Sequence, residues 1–324
     1  MPSAEDSLIS RYFRPLATDP GAFGLTDDAA ILKSSADELV VTTDAIVEGV
    51  HFLPDDPPDT VARKALRVNL SDLAAKGATP AGFVLTLALR KADDAWLAPF
   101  ARGLGEDATQ FGCPLLGGDT VSTPGPLMIS ITAFGSVPPG RMVRRNGARA
   151  GDRVVVSGTI GDAALGLHLL KGGAAATLGG DEKELLIGRY RVPQPRLALA
   201  QAVRDHASAA MDVSDGLAGD LAKLCAASGI SAAIDAQSIP LSGPAQSLLS
   251  SGAAGIESIV SGGDDYEILC TIPENRFEAF AQAAMLAGMP VTSIGTIIAG
   301  SSVPRFIDGQ GAEIALSRLS YSHF

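Results

Sequence analysis

Residues 59–89 read DTVARKALRVNLSDLAAKGATPAGFVLTLAL, and this stretch decides the fold class. Its first half is helical: Val61, Ala65, Val68 and Leu73 form an apolar stripe, Asp59 is the expected N-cap and Gly77 the expected stop. Its second half, Gly82–Leu89 (GFVLTLAL), is a β-type apolar run of strand length. A helix running into a buried strand is the pattern of a layered α/β chain.

The pattern continues on both sides. Upstream, Glu38–Thr43 (ELVVTT) predicts a short strand ending at Asp44. Downstream, Ala92–Phe111 predicts a helix stopped by Gly112, Pro114–Leu116 leads into Gly117-Gly118-Asp119-Thr120, and Leu127–Phe134 predicts another strand. Arg141–Asp152 is polar and glycine-punctuated, the best domain boundary in the chain. A second series follows. Strands are expected at Arg153–Ser157, Ala209–Val213, Ile256–Val260 and Glu267–Thr271, and helices at Asp162–Lys171, Ala198–His206 and Asp215–Ser228, the last ended by Gly229. Gly172–Gly180 is low in complexity and is expected to be a mobile loop. GGD occurs at 117–119 and again at 262–264, a weak hint of two related halves.

Composition narrows the function. The 324 residues are 46% hydrophobic and 19% charged, which excludes intrinsic disorder. The formal net charge of −11 repels phosphate backbones and anionic membranes, so neither nucleic acid nor a membrane is an expected partner. Phosphates handled by such a chain need cations to accompany them. The three cysteines, Cys113, Cys225 and Cys270, form no C-x-x-C pair and fit a reducing compartment. MPSAEDSLIS lacks the features of a secretory signal and no apolar run nears the ~20 residues of a membrane span, so a cytoplasmic protein is expected.

The aspartates carry the chemistry. Asp28, Asp44, Asp119, Asp212, Asp215 and Asp264 stand at expected element ends, several beside glycines. Each alone is ordinary turn or cap chemistry. Together they would repel one another unless hard cations lay between them, and oxygen-rich sites of this kind suit Mg²⁺ with phosphates and waters. Asp72 lies inside a helix, a mediocre place for aspartate, and shares a face with Asn69 and Lys76, with Ser71 beside them. His51, taken alone, reads as structural, and Arg141, Arg144 and Arg145 as solvated. The chain has no G-x-x-x-x-G-K-[ST], no G-x-G-x-x-G, no EF-hand loop, no G-x-S-x-G and no HRD/DFG set.

Taken in order, seven segments resemble the thiamine-monophosphate kinase family, within the superfamily that includes aminoimidazole ribonucleotide synthetase and selenophosphate synthetase. They are FGLTDDAAIL (23–32), VTTDAIVEGVHF (41–52), ALRVNLSDLAAKGATP (65–80), LLGGDT (115–120), GRMVRRNGARAGD (140–152), MDVSDGL (211–217) and SGGDDYEI (261–268). The resemblance implies an α/β chain of α+β type with a two-domain aminoimidazole-ribonucleotide-synthetase-like architecture, mixed sheets flanked by helices. It divides the chain into 1–146, which would bind ATP and Mg²⁺ and dimerise, and 147–324, which would complete the substrate site. It implies a homodimer, several Mg²⁺ ions, and ATP-dependent phosphorylation of thiamine monophosphate to thiamine diphosphate. By motif, Asp28, Thr42, Thr43, Asp44, Asp72, Asp119, Asp212 and Asp215 would be metal ligands. Phe111, Gly118, Asp119, Arg145 and Ser214 would bind ATP, and His51, Asp264 and Tyr321 the thiamine phosphate. No residue is expected as a general base. The family form has Gly where Thr26 stands, and Glu where Asp264 stands.

Besides a metal-dependent phosphatase, which would release phosphate from thiamine monophosphate without ATP, two other readings stay open on these residues. One is a sibling ATP-dependent synthetase with a different acceptor. A selenophosphate synthetase would need a reactive cysteine near its start, whereas the first here is Cys113. The other is a nucleotide- or metal-binding protein without turnover.

Overall fold

The computed structural model describes residues 8–25, 36–173 and 177–320, and divides them into two compact units. The first holds the described residues up to Leu73 together with Ala78–Gly140, and the second holds Ala74–Gly77 and the described residues from Arg141 onward.

The first unit is built on strands β1 (Glu38–Val47), β2 (Thr79–Leu89), β3 (Leu115–Ser122) and β4 (Met128–Val137), in the order β1-β4-β2-β3. β4 is antiparallel to both β1 and β2, while β3 runs parallel to β2, so the sheet is mixed. Burial alternates along β4, with Ile129, Ile131 and Ala133 fully covered and the residues between them partly open. One face is therefore core and the other is not. Helix α1 (Pro58–Ala75) lies against the core face, where Leu73 comes so close to Gly135 that a Cβ there would be 3.0 Å away. Helix α2 (Asp94–Gln110) packs on α1 through Gly103, where a Cβ would sit 2.6 Å from the Asp59 carbonyl. Asp107, fully buried on α2, is gripped by Arg67 from α1 at 2.5 and 2.9 Å and by Arg63.

Several boundaries differ from the sequence reading. α1 begins at Pro58, so Asp59 sits in its first turn and is not the N-cap; proline fits there because that position needs no amide donor. β1 runs on to Val47 and β3 takes in Gly117–Ser122, so Asp44 and Asp119 lie within strands, not after them. Pairing with β4 and β2 overrides the low strand propensity of Gly and Asp. Gly77 and Gly112 do stop the helices, at φ +71° and +60°.

The second unit carries a six-stranded mixed sheet in the order β10-β7-β9-β5-β8-β6. Its strands are β5 (Arg153–Ser157), β6 (Ala209–Asp212), β7 (Ser231–Asp235), β8 (Ile268–Ile272), β9 (Val291–Ile298) and β10 (Arg305–Ile307). Its helices are α3 (Asp162–Leu170), α4 (Gly180–Arg191), α5 (Ala200–His206), α6 (Leu217–Ser228), α7 (Gly243–Ser250), α8 (Ile256–Val260) and α9 (Phe277–Leu286). Both sheet faces are covered. Val154 and Val156 join one core with Met211, Leu221 and Leu269, and Val155 joins another with Ala210, Cys270 and Phe280. That explains why these strands are apolar without alternation. The expected strand at Ile256–Val260 is instead the helix α8: Ser261 N donates to the Glu257 carbonyl at 2.9 Å and Ser258 Oγ to that of Gly255 at 2.7 Å. A five-residue apolar run has no period to separate the two states. Residues 174–176 of the expected mobile loop lie outside the described residues, and Gly180 already belongs to α4. Among the described residues, no helix is long and apolar enough to cross a membrane.

Asp107→Ala removes the buried anion that holds Arg67 and Arg63. The expected loss is about 3–5 kcal/mol, read as an earlier urea midpoint with an unchanged slope.

Candidate active site

In the second unit, topology brings two of the motifs together. β6 ends at Asp212 and pairs antiparallel with β8, which begins at Ile268, with Asp212 opposite Ile268. The loop that follows one strand and the loop that precedes the other must therefore leave the sheet at the same end. Their backbones interlock. Val213 N donates to the Glu267 carbonyl, Tyr266 N to that of Val213 and Asp264 N to that of Ser214, each at 2.8 Å. Glycine is needed at the contact, because a Cβ on Gly263 would lie 2.5 Å from the Ser214 carbonyl.

Each acidic residue of GGDDYE has a different job. Glu267 has no exposed surface and is held by Arg189 at 2.7 Å, by Arg196 at 2.6 Å and by the Ser157 hydroxyl at 2.6 Å. It anchors the loop to the sheet. Asp265 is buried and accepts from Gly161 N at 2.8 Å, at the start of α3. Burial pushes its carboxyl well above the usual carboxylate range, against the pull of that amide. Asp264 is partly open and sits at φ +73°, with Tyr266 at φ +50°. Aspartate tolerates this left-handed conformation better than longer side chains do.

The other loop is organised by residues that the sequence reading missed. Asp220, fully buried in the first turn of α6, accepts from the amides of Ser214 and Asp215, both at 2.9 Å. Lys223 donates to Asp220 at 2.8 Å and to Asp215 at 2.5 Å. Burial raises the Asp220 carboxyl, and the Lys223 ammonium opposes the shift. α6 starts at Leu217 and not at Asp215, because Gly216 at φ +109° turns the chain where a Cβ would be 2.8 Å from Ser261. Asp220 and Lys223 follow Asp215 at +5 and +8, a one-sided polar series on a helix otherwise apolar, which was the signal available.

In the first unit, strand pleating sorts the candidate ligands. Thr42 and Asp44 share the helix-covered face, and the Thr42 hydroxyl donates to Asp72 on α1. Thr43 points to the other face, where it accepts from Thr132 at 3.0 Å and donates to the Ile131 carbonyl at 3.2 Å. A cation on the Asp44 side can meet Thr43 only through its backbone carbonyl. Asp119 is exposed on β3, paired with Thr86 on the same face as Thr43. Since β1 and β3 are the two edges of the sheet, Asp44 and Asp119 are about three strand spacings apart, on the order of 14 Å. No single ion touches both within this unit. Gly118 cannot carry a side chain, because a Cβ would lie 1.9 Å from the Leu85 carbonyl.

The remaining candidates are placed as follows. His51 sits in the turn after β1, its Nδ1 accepting from Val47 N at 3.0 Å, so a neutral ring carries its proton on Nε2. The buried Lys64 donates to the His51 carbonyl at 2.8 Å and fixes the turn. Phe111 caps α2, with the Arg67 guanidinium 5.1 Å above its ring. Arg145 is exposed in the second unit and Asp212 is buried at the end of β6. Asp28, with Thr26, and Tyr321 lie outside the described residues.

The donors fit Mg²⁺. They are all hard oxygens, and the Asn69 Oδ1, fully buried three residues before Asp72, has no hydrogen-bond partner. Among the described residues no three carboxylate, histidine or cysteine side chains converge on a closed cage. Mg²⁺ does not ask for one, since it is usually held by one or two carboxylates plus substrate phosphates and water. The thiols play no part: burial pushes Cys113 and Cys270 up to about 12 and Cys225 to about 11.

The strain at position 264 is measurable. Asp264→Val should cost about 1–2 kcal/mol more than Asp264→Gly, because only the β-branched side chain meets the full left-handed penalty. Parallel thermal melts of the two variants check this.

Comparison with known proteins bears on the same residues. Residues 26–137 match the AIR synthase related protein N-terminal domain, and 149–307 the corresponding C-terminal domain. A thiamine-monophosphate kinase of Caulobacter vibrioides is 46% identical over 99% of this chain and 91% of its own length. The crystal structure of thiamine-monophosphate kinase from Stenotrophomonas maltophilia is 40% identical with TM-score 0.84, covering 95% of this chain and 98% of that one. A structure described as AaThiL complexed with AMPPCP and TMP is 30% identical with TM-score 0.78, covering 94% and 97%. The ATP complex of hydrogenase maturation protein HypE, at 21% identity and TM-score 0.80, shares the fold alone. With both of its domains matched and close relatives along its whole length, this chain belongs to the thiamine-monophosphate kinase family of AIR synthase related proteins.

Proposed function

We propose that the chain phosphorylates thiamine monophosphate with ATP, yielding thiamine diphosphate and ADP. The carrying observation is the interlock of the 213–216 and 262–267 loops in a chain whose 30%-identical structural relative holds AMPPCP and TMP. The nucleophile is a phosphate oxygen of thiamine monophosphate, already anionic at neutral pH. A new bond forms from it to the γ-phosphorus as the bond to the β-phosphate oxygen breaks. No general base is needed, and none of the candidate residues is assigned that role. The difficulty is to bring two anions together on an acidic protein. Mg²⁺ ions, when bound, neutralise phosphate charge and align the in-line attack.

The residues divide the work by position. Asp28, Thr42, Thr43, Asp44, Asp72 and Asp119 in the first unit, with Asp212 and Asp215 in the second, are assigned to the metal ions. The separation of Asp44 from Asp119 within one chain supports several ions spread along a phosphate chain. Phe111, Gly118, Asp119, Arg145 and Ser214 are assigned to ATP, and His51, Asp264 and Tyr321 to thiamine monophosphate. In this reading residues 1–146 supply most of the nucleotide and metal contacts, and 147–324 supply the rest and complete the acceptor site. Three free, buried cysteines fit a reducing compartment, and the reading places the enzyme in the cytoplasm.

The open face of the four-stranded sheet supports a homodimer. Leu39 and Val41 on β1 are 48% and 55% exposed, Val121 on β3 is 43% exposed, and Val84, Ala45 and Phe134 are on the same side. A second copy is assigned to that face, where it would cover these apolar side chains beside the polar Thr43 and Asp119.

Purified protein with ATP, Mg²⁺ and thiamine monophosphate should give thiamine diphosphate by chromatography. Asp119→Ala and EDTA treatment should each abolish it. ATP binding with no product in the untreated wild type would reject the kinase reading. Val41→Asp puts a charge in the assigned interface, and sedimentation should show a dimer for the wild type and a monomer for the variant.

A further inference from the structure

We propose that Lys223 is the counter-cation that sets how tightly the 213–216 loop takes a divalent metal ion. The inference rests on the reading of Asp215 as a metal ligand. Asp220 uses one carboxylate oxygen to fix the amides of Ser214 and Asp215, both at 2.9 Å, so the loop's shape does not depend on the lysine. The other oxygen of Asp220 accepts from Lys223 at 2.8 Å, and the same ammonium reaches Asp215 Oδ2 at 2.5 Å. Two carboxylates thus share one positive charge. The side chains of Lys223 and Asp215 are 40% and 36% exposed, so a hydrated ion can reach the pair from solvent.

The electrostatic consequence follows directly. With Lys223 present, the trio carries a net charge of −1, and a dication on the Asp215 carboxylate meets an ammonium already bound to that group. Without it, no ammonium competes for the Asp215 carboxylate, which meets the ion undivided. The lysine therefore keeps Asp215 and Asp220 from repelling each other before metal arrives, and it holds metal affinity below the level two bare carboxylates would give. The motif residues are not the whole of the metal site, because a helix residue two turns away sets the charge they present.

The test is Mn²⁺ binding to the full chain without nucleotide, following the free-ion electron paramagnetic resonance signal. Lys223→Met keeps the length of the stem and removes the charge, and should bind Mn²⁺ about tenfold more tightly than wild type at low salt. Lys223→Arg, which restores the charge, should return to the wild-type value. Lys223→Gln is the second neutral variant if Lys223→Met does not fold, with the same tightening expected. Asp215→Asn should weaken binding. If Asp215→Asn weakens binding but the neutral Lys223 variants bind no more tightly than wild type, the counter-cation role is overturned. If Asp215→Asn leaves binding unchanged, Asp215 is not a ligand and the proposal falls with that reading.

Discussion

A carboxylate with no exposed surface must be paired, and the pairing of Glu267 with Arg189, Arg196 and Ser157 is the constraint on which the second unit's site depends. Glu267 ends the glycine-rich loop and immediately precedes β8. Holding it fixes where the loop joins the sheet, and the backbone bonds to Val213 and Ser214 then fix the neighbouring loop. The left-handed residues Asp264 and Tyr266 can persist because both of their flanks are tied down. Gly158 belongs to the same arrangement: a Cβ there would lie 2.2 Å from Glu267 Oε1.

The first unit solves a different problem, that of presenting anions from a sheet. Its core face is closed by α1 and α2, and Asp72 reaches from α1 to Thr42 on β1. The strand pleat then sends Thr42 and Asp44 one way and Thr43 and Asp119 the other. This separation limits the repulsion between carboxylates in the absence of cations. In the second unit, where Asp215 and Asp220 lie close together, a lysine is built in between them. Distance in one case and a fixed counter-charge in the other let a chain of net charge −11 keep its acidic residues in place.

Legibility in the sequence followed the strength of local patterns. The stripe Val61–Leu73 and the run Gly82–Leu89 located α1 and β2, and Gly77, Gly112 and Gly229 located helix ends, because these signals act within a few residues. Ile256–Val260 was misread because five apolar residues have no period, and a hydrogen-bonded turn begun at Gly255 made it helical. β7, β9, β10 and the helices α4, α7 and α9 were not located, being short or carrying little apolar period of their own. At the site, the motif carboxylates could be picked out by their spacing and order. Asp220 and Lys223 could not, since their importance lies in what they touch.

The sequence by itself determined that the chain is layered α/β, acidic, free of the common nucleotide motifs, and supplied with oxygen donors in a family's order. Those properties depend on residue type and near-neighbour spacing. Only the tertiary structure decided that Asp44 and Asp119 occupy opposite edges of one sheet, that VSDG and GGDDYE lock together, and that three acidic residues in one loop become an anchor, a helix cap and a half-buried residue in left-handed conformation. The physical reason is that register, pleat and burial are set by partners distant in the chain, and a carboxylate's role follows from which of those partners it meets.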